Sequence, residues 1–317
     1  MNKADVSILT ANYNNGKYIE ELIRSVLTST MLPIQFIIVD DGSTDNSVEI
    51  IKSYSSQYDF IELIKLEKNQ GFANALNAGL KQVRGCFVLR VDADDYVAPD
   101  RLEKQYLFML EHTEIGVLGS NVRYFDAVSG KMLFDSHVSH SHRSIWDDFL
   151  SASCGIIHGS TLIRTSVFKK YEYNQKNVPA EDYELFSKML KDGVKMYNLP
   201  MTLTFVRVHS NSVSNFLPYQ TIQKTYSIAQ QIWGIGYSKV EMRLKYLHLK
   251  YYRRFLFESH KLKKLYFISF SAISLLLHFY FLAENRCLRH QKIYCGLPYS
   301  TCLSLSNRGR YTTFPLE

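Results

Sequence analysis

Strand-like and helix-like segments alternate along the first hundred residues of the chain. Four apolar runs have the composition of buried parallel strands: VSILTANY, IQFIIVDD, FIELIKLE and CFVLRVDADD. The segments between them space their apolar residues as helices do, and we expect Gly85 to close the third helix. This β-α-β-α-β-α-β order predicts an α/β fold: a mostly parallel, doubly wound sheet with helices on both faces. Ligands bind such sheets at the carboxyl ends of the strands.

The C-terminal third has a different character, since it is helical, basic and rich in apolar residues. Nine Lys or Arg stand against two Glu between Lys239 and Lys264, and the formal net charge of the 317-residue chain is +7. This asymmetry predicts an anionic partner for a C-terminal helical region, either a membrane surface or a nucleic acid. A solvated helix face is the alternative.

The stretch 265–283 follows this basic run and contains 19 residues without a formal charge. It is long enough to span a bilayer, although three Ser, two Tyr and one His weaken that interpretation. Three interpretations stay open: an interfacial helix, a true span, or a helix buried against the rest of the protein. We favour the interfacial helix, because a basic aromatic helix beside an uncharged segment is typical of membrane-surface binding. No nucleic-acid-binding module is recognisable, so we expect no nucleic-acid partner.

Three carboxylates follow the fourth predicted strand within four residues, at Asp92, Asp94 and Asp95. On an extended segment, side chains two residues apart point the same way, so Asp92 and Asp94 should converge. Mg²⁺ is held in many proteins by one or two carboxylates together with substrate phosphates. The motif therefore predicts a site for a divalent cation and a diphosphate. A helix N-terminus decorated with acidic residues is the alternative.

Six blocks of the chain, spread over roughly residues 5–215, resemble family 2 glycosyltransferases in content and order. These blocks are VSILTANYNNGKYIEELIRSVLTST, FIIVDDGSTDNS, NQGFANALNAGLKQVRGCFVLRVDADD, HGSTLIR, AEDYELFSKML and VRVHSNSVS. The resemblance implies a GT-A fold and an activity: transfer of a sugar from a nucleotide diphosphate to an acceptor hydroxyl, with inversion at the anomeric carbon. One departure is Leu76, where many members have an Arg before the residue matched by Asn77.

The resemblance also implies a role for individual residues. Thr10, Asn12 and Tyr13 should line the nucleoside pocket. Asp40 should accept a hydrogen bond from the base, with uracil as the expected base, and Asp41 is a second candidate there.

Metal binding and catalysis are assigned by the same resemblance. Asp94 should bind Mn²⁺ or Mg²⁺ directly, Asp92 should lie near the ribose or the metal, and His209 should lie near the diphosphate or the metal. Asp95 is expected to orient the donor sugar. Asp182 should act as the general base, with Glu181 beside it; the alternative is a plain helix-capping role for Asp182.

We accordingly expect a nucleotide-sugar-binding half at 1–120, an acceptor-binding half of the same domain at 121–218, and a membrane-associated helical region at 219–317. The expected substrates are a UDP-sugar and a saccharide or lipid-linked saccharide, in cell-surface polysaccharide synthesis. Five scattered cysteines and a polar N-terminus favour the cytoplasm, at the inner face of the cell membrane. Two other classes stay open: a catalytically silent nucleotide-sugar-binding protein and a nucleotidyltransferase on a related fold.

Overall fold

The computed structural model describes residues 3–209, 218–257 and 261–295, with side chains described as far as residue 278. The first four predicted strands are present as β1 (Lys3–Asn12), β2 (Leu32–Asp40), β3 (Ile61–Lys65) and β4 (Phe87–Arg90). Between them lie the helices α1 (Ile19–Leu27), α2 (Ser47–Ser55) and α3 (Phe72–Leu80). The predicted alternation is therefore confirmed.

The predicted closing position of α3 was wrong. This helix ends at Leu80, and Gly85 lies beside β1, where a Cβ atom would sit 2.6 Å from the Ser7 backbone nitrogen. Gly85 is therefore required by close approach of two backbones and not by a helix cap.

The second half of the domain continues the same sheet. Its elements in chain order are β5 (Tyr96–Val97), α4 (Arg101–Glu111), β6 (Ile115–Asp126), β7 (Met132–Asp135), α5 (His142–Leu150), β8 (Leu162–Arg164), α6 (Thr165–Phe168), α7 (Glu181–Lys191) and β9 (Lys195–Val208). Short 3₁₀ turns occupy His158–Ser160 and Gln175–Asn177.

The strand order is β3-β2-β1-β4-β8-β6-β9-β5, with β7 paired to β6. Strands β1 to β4 are parallel, β6 and β9 are parallel, and β8 runs antiparallel to both of its neighbours. The sheet is thus mixed but mostly parallel, as predicted. Chain order reverses at β1, between β2 and β4, and such switch points open a crevice at the carboxyl edge of the sheet.

Two hydrophobic clusters cover the two faces of this sheet. Helix α1 buries Ile19, Leu22, Ile23 and Val26 on one face, together with residues of β1, β2 and β4. On the other face, α3, α5, α7 and a further helix, α8 (Tyr219–Trp233), form the second cluster. Because helices pack on both faces, apolar side chains of both orientations along each central strand are buried.

Two long helices, α9 (Lys239–Phe257) and α10 (Lys261–Cys295), follow α8 and pack against each other. The expected C-terminal helical region is thus present, although Glu258, Cys302 and the end of the chain lie outside the described residues. Among the helices that the structure describes, none is long and apolar enough to cross a membrane.

Candidate active site

The residues predicted for the nucleoside pocket lie at the carboxyl edge of the sheet, where β1 and β2 end. Thr10 Oγ1 donates a hydrogen bond to the Val91 carbonyl at 3.0 Å, which ties the end of β1 to the segment after β4. Asn12 Nδ2 donates to Asp40 Oδ2 at 2.8 Å, joining β1 to β2. Thr10, Asn12 and Asp40 are buried, whereas Tyr13 exposes 45% of its surface. Tyr13 is consequently the member of this group that a base could stack on.

Asp40 and Asp41 each hold a loop at this edge. Asp40 Oδ1 accepts a hydrogen bond from the Ser43 backbone N–H at 3.0 Å. Asp41 accepts from the backbone N–H groups of Gln70 and Gly71, at 2.7 and 2.8 Å. Carboxylates bonded to backbone N–H groups fix loop shape, so this pair shapes the wall of the crevice whatever else it binds.

The structure brings Asp94 and His209 together, although they are 115 residues apart in the chain. His209 Nε2 lies 2.9 Å from Asp94 Oδ2, and the two side chains expose about 15% and 25% of their surface. Burial, followed by the charge of Asp92, raises the pKa of Asp94. A carboxylate that is costly to ionise, beside a second carboxylate, gains most from a bound cation.

These donors fit a divalent cation of the Mn²⁺ or Mg²⁺ type. No group of three or more His, Cys, Asp or Glu is arranged to hold a metal among the residues described here. Asp94 and His209 are the two predicted ligands that the structure brings into contact, whereas Asp92 is paired with Arg90. Two protein ligands can be enough, because such cations take their remaining ligands from substrate phosphates and water. A cation held by Asp94 and His209 would neutralise charge that develops on a diphosphate leaving group.

Asp92 forms an ion pair with Arg90, a residue whose role was not predicted from the sequence. Arg90 is fully buried on β4, and its guanidinium forms an ion pair with Asp92 while lying 5.2 Å from the centre of the Phe72 ring. Burial alone would raise the pKa of Asp92, but neighbouring groups, Arg90 foremost, outweigh burial together, and the pKa is lowered. Asp92 is therefore ionised in the folded protein. An arginine inside the otherwise apolar run FVLRV is the signal that could have revealed this pair.

A second buried arginine supports the same segment. Arg101 donates to the carbonyls of Gly159 and Arg90, at 3.0 and 2.8 Å. Burial and then the charge of Arg90 lower its pKa to about 9. Gly159 belongs to the 3₁₀ turn against Asp92, and a Cβ there would lie 3.0 Å from Asp92 Oδ2. Arg101 thus holds in register the two segments that flank Asp92.

Asp95, which is expected from the family resemblance to orient the donor sugar, is almost fully buried. Its Oδ1 accepts a hydrogen bond from the Arg207 backbone N–H at 2.9 Å. Burial, and then the charges of Asp94 and Asp92, raise its pKa well above the ordinary value. The bond locks the acidic segment to β9, two residues before His209, which gives Asp95 a positioning role in this structure.

Glu181 and Asp182 are the first two residues of α7. A capping role for Asp182 would require the helix to begin two residues later, at Tyr183. The N-cap is Ala180, and Asp182 Oδ1 accepts from the Tyr183 N–H at 2.6 Å. Burial, and then the charge of Asp92, raise the pKa of Asp182 to about 6. Asp182 therefore remains ionised at neutral pH, as a general base must be.

Glu181 differs from its neighbour in protonation. It is buried, and its Oε2 has no hydrogen-bond partner within the described part of the chain. Burial and then Asp182 raise its pKa to about 8, so it carries a proton at neutral pH. Of the two carboxyl groups, Asp182 is the one that is mostly ionised at that pH.

Two residues of the predicted block HGSTLIR, His158 and Arg164, have structural roles. His158 Nε2 lies 2.6 Å from the Tyr173 hydroxyl, and burial, with Arg90, lowers the histidine pKa to about 3. Arg164 donates to the carbonyls of Met109, His112 and Ile115. Neither side chain is placed for acid–base chemistry near pH 7.

The sheet edge thus combines the Asp94–His209 pair, an ionised carboxylate paired with Arg90, and a carboxylate at the start of α7 whose pKa lies just below neutral pH. The charge of Asp92 raises the pKa of Asp182, so the two lie close enough to interact electrostatically. One group of residues can hold a diphosphate through a cation, and the other can take a proton from a hydroxyl.

Known proteins resemble this chain in sequence and in fold. A family model described as "Glycosyl transferase family 2" matches residues 7–172, more than half of the chain. The amylovoran biosynthesis glycosyltransferase AmsE of Erwinia amylovora is 28% identical over 214 residues, which cover 66% of this chain and 78% of AmsE.

Two solved structures share the architecture. S. aureus TarS 1-349 in complex with UDP-GlcNAc matches with a TM-score of 0.54 and 21% identity, over 91% of this chain and 76% of TarS. The mannosyltransferase PcManGT from Pyrobaculum calidifontis, in complex with GDP-Man and Mn²⁺, matches with a TM-score of 0.53 and 15% identity, over 96% of this chain and 84% of its own. The chain belongs to glycosyltransferase family 2 and is a glycosyltransferase with a GT-A-type fold.

Proposed function

We propose that this enzyme moves a hexosyl or N-acetylhexosaminyl group from a UDP-sugar to an acceptor hydroxyl, with inversion and with Mn²⁺ or Mg²⁺ bound. The observation that carries the proposal is the pairing of two acidic sites of different character at one sheet edge. Asp94 with His209 suits a cation, while Asp182, with a pKa of about 6, suits proton removal. Inversion needs one direct displacement, for which a single base is sufficient.

The choice of UDP is supported by the buried Asp40 beside Asn12 and by the UDP-GlcNAc complex of TarS. Asp40 Oδ1 and Oδ2 each have a lone pair beyond the bonds to Ser43 and Asn12 that could accept from uracil N3–H. GDP is the competing nucleotide, since PcManGT was solved with GDP-Man. A guanine base also offers an N–H at the corresponding edge, so the nucleotide must be decided by measurement.

The acceptor class is inferred from a relative and from the C-terminal region. AmsE is named for the biosynthesis of amylovoran, which favours a role in cell-surface polysaccharide synthesis. The basic helical region favours a saccharide or lipid-linked saccharide acceptor and a peripheral location at the cytoplasmic face of the membrane.

A nucleotide-sugar panel tests this function. Purified enzyme is incubated with UDP- and GDP-sugars and either Mn²⁺, Mg²⁺ or EDTA, and released nucleoside diphosphate is measured. We expect turnover of a UDP-sugar with metal and none in EDTA. Asp94→Asn should abolish metal-dependent UDP binding, while Asp59→Asn, at an exposed turn position, serves as the matched control. Full activity in EDTA would refute the metal site, and turnover of GDP-sugars alone would refute the donor assignment.

A further inference from the structure

Helix α10 exposes large apolar side chains on the side that faces away from α9. Seven large apolar side chains expose between 42% and 71% of their surface: Leu262, Leu265, Tyr266, Phe270, Ile273, Leu276 and Leu277. We call these seven residues the outer face of α10. At about 100° per residue they fall within an arc of about 140°, so they form one continuous stripe.

The opposite side of α10 packs against α9, and polar side chains are buried there beside the partly buried Phe267 and Leu275. Ser271, Ser274 and His278 are buried there. Ser271 Oγ lies 2.9 Å from His248 Nδ1 of α9. In a helix that meets water on its outer side, burial of the apolar stripe would be favoured by about 25 cal/mol per Å². The observed arrangement indicates that the outer face meets an apolar medium.

Cationic side chains border this stripe. By helical position, Lys261 and Lys263 lie about 100° to either side of Leu262, and both are exposed. Arg254 is also exposed, close to the start of α10. Lysines that border an apolar face place their charge at the lipid headgroups while the apolar side chains enter the acyl region.

We propose that the outer face of α10 lies in the interface of an anionic bilayer, with Lys261 and Lys263 against the lipid phosphates. A second copy of the chain fits less well. The outer face is roughly 22 Å long and about 10 Å wide, whereas a stable interface needs about 800 Å² per partner. Two copies would also bring together two hairpins with nine basic against two acidic residues each, which favours an anionic partner.

Some basic residues of the C-terminal helices interact with the catalytic domain. Arg253 is only partly exposed and interacts electrostatically with Tyr124 of β6. Lys245 donates to Ser153 in the catalytic domain. Changes at Arg253 or Lys245 would remove interactions with the catalytic domain as well as charge, whereas Lys261 and Lys263 have no such contacts among the described residues.

Cosedimentation of the full chain with vesicles tests the proposal. The vesicles are phosphatidylcholine with or without about one third phosphatidylglycerol, at low and at high salt. Lys261→Gln with Lys263→Gln should weaken binding to the anionic vesicles by about 25-fold, about fivefold per charge. Leu276→Glu should weaken it by at least about tenfold. Matched controls are Lys131→Gln with Lys170→Gln, and Leu110→Glu on α4, all at exposed positions; these should stay within about twofold.

Circular dichroism and UDP binding confirm that each variant is folded, and neither depends on the lipid. The proposal is overturned if the wild-type chain binds neutral and anionic vesicles equally, or binds neither, or if Leu276→Glu binds as wild type does. It is also overturned if sedimentation velocity shows a wild-type dimer that Leu276→Glu converts to monomer without a change in vesicle binding. Loss of transfer activity with intact lipid binding would refute the proposed function alone.

Discussion

At the scale of single residues, the adjacent carboxyl groups of Asp182 and Glu181 differ in the pH at which they ionise. With a pKa of about 6, Asp182 is ionised at pH 7, whereas Glu181, with a pKa of about 8, is protonated. A base acts only when ionised, so transfer should increase as pH rises through about 6. An increase centred near pH 8 would instead identify Glu181 as the base. The measurement is kcat against pH at saturating donor.

Substitution separates the same two residues. Asp182→Asn should lower transfer by about 10²–10⁴-fold, because general base catalysis is lost, and UDP-sugar affinity should barely change. Glu181→Gln keeps a neutral hydrogen-bonding group and should leave transfer within about tenfold of wild type. Calorimetry of donor binding beside each rate measurement shows whether the pocket is intact. Loss of donor binding in Asp182→Asn would point to a folding role.

The buried pair of Arg90 and Asp92 should contribute measurably to stability. Arg90→Met removes the partner of an ionised carboxylate, and breaking a buried pair costs about 3–5 kcal/mol. Asp92 keeps about a third of its surface exposed, so we expect the lower end, about 3 kcal/mol. The control is Arg24→Met, which breaks an exposed pair with Glu20 and should leave the free energy of unfolding nearly unchanged. Urea unfolding gives both values, and equal losses would argue against the buried pair.

At the scale of elements, α9 and the segment before it are hydrogen-bonded to the end of α5 and to the loop that follows α5. This loop leads to the 3₁₀ turn at His158–Ser160. Lys245 on α9 donates to Ser153 Oγ, and the Tyr237 hydroxyl donates to the Leu150 carbonyl at 2.9 Å. The next residue in that loop, Cys154, has its Sγ 4.0 Å from Asp182 Oδ2. The C-terminal helices therefore support the wall of the site beside the proposed base.

Lys245→Met should loosen this wall and raise the acceptor KM, with a loss of about tenfold in kcat/KM for the acceptor. The donor Kd should stay unchanged, because the nucleotide pocket lies on β1 and β2. Lys239→Met, at the exposed start of α9, is the matched control. Equal effects on donor and acceptor would indicate general unfolding instead of a local loss of support.

The segment before β4 lies close to β1 at Gly85. A Gly85→Ala substitution, which adds one methyl group, tests this close approach. Gly85→Ala would place a Cβ 2.6 Å from the Ser7 nitrogen and 2.8 Å from the Val6 carbonyl carbon, so the backbones must separate. We expect a loss of about 1–3 kcal/mol in the free energy of unfolding. Gly236→Ala, where nothing lies within 4 Å of the added carbon, should be neutral or stabilising by up to about 1 kcal/mol.

At the scale of the whole molecule, the first half was predictable because each of its elements has its own local pattern. The parallel order of β1 to β4 follows from alternating apolar runs, and the carboxylates after β4 were recognisable from spacing. The antiparallel placement of β8 was not predictable, since a three-residue strand carries too little periodicity. The partners of Asp95 and Asp94, Arg207 and His209, come from β9 and the residue after it, more than 110 residues away. Spacing alone does not report such contacts, and only the family resemblance placed His209 near the metal.

The side of α10 that faces outward could also not be predicted from the sequence, because residues 265–283 are apolar without a clear helical period. Only the packing of Ser271 and Ser274 on α9 shows which side faces outward. The location of the chain and its expected division into three units remain predictions.

The distance between Asp94 and His209 along the chain has a consequence for how the protein is made. Ribosomes add roughly 5–20 residues per second, so His209 is synthesised about 6–23 s after Asp94, from the separation of 115 residues. For the first 70 residues of that interval, up to Arg164, β4 also lacks the complete strand β8, and the acidic segment lacks the β9 backbone that Asp95 binds until Arg207 is made. A cation that needs both Asp94 and His209 therefore cannot act as an early folding template for the nascent chain. Such a cation could stabilise the fold only after β9 has been made.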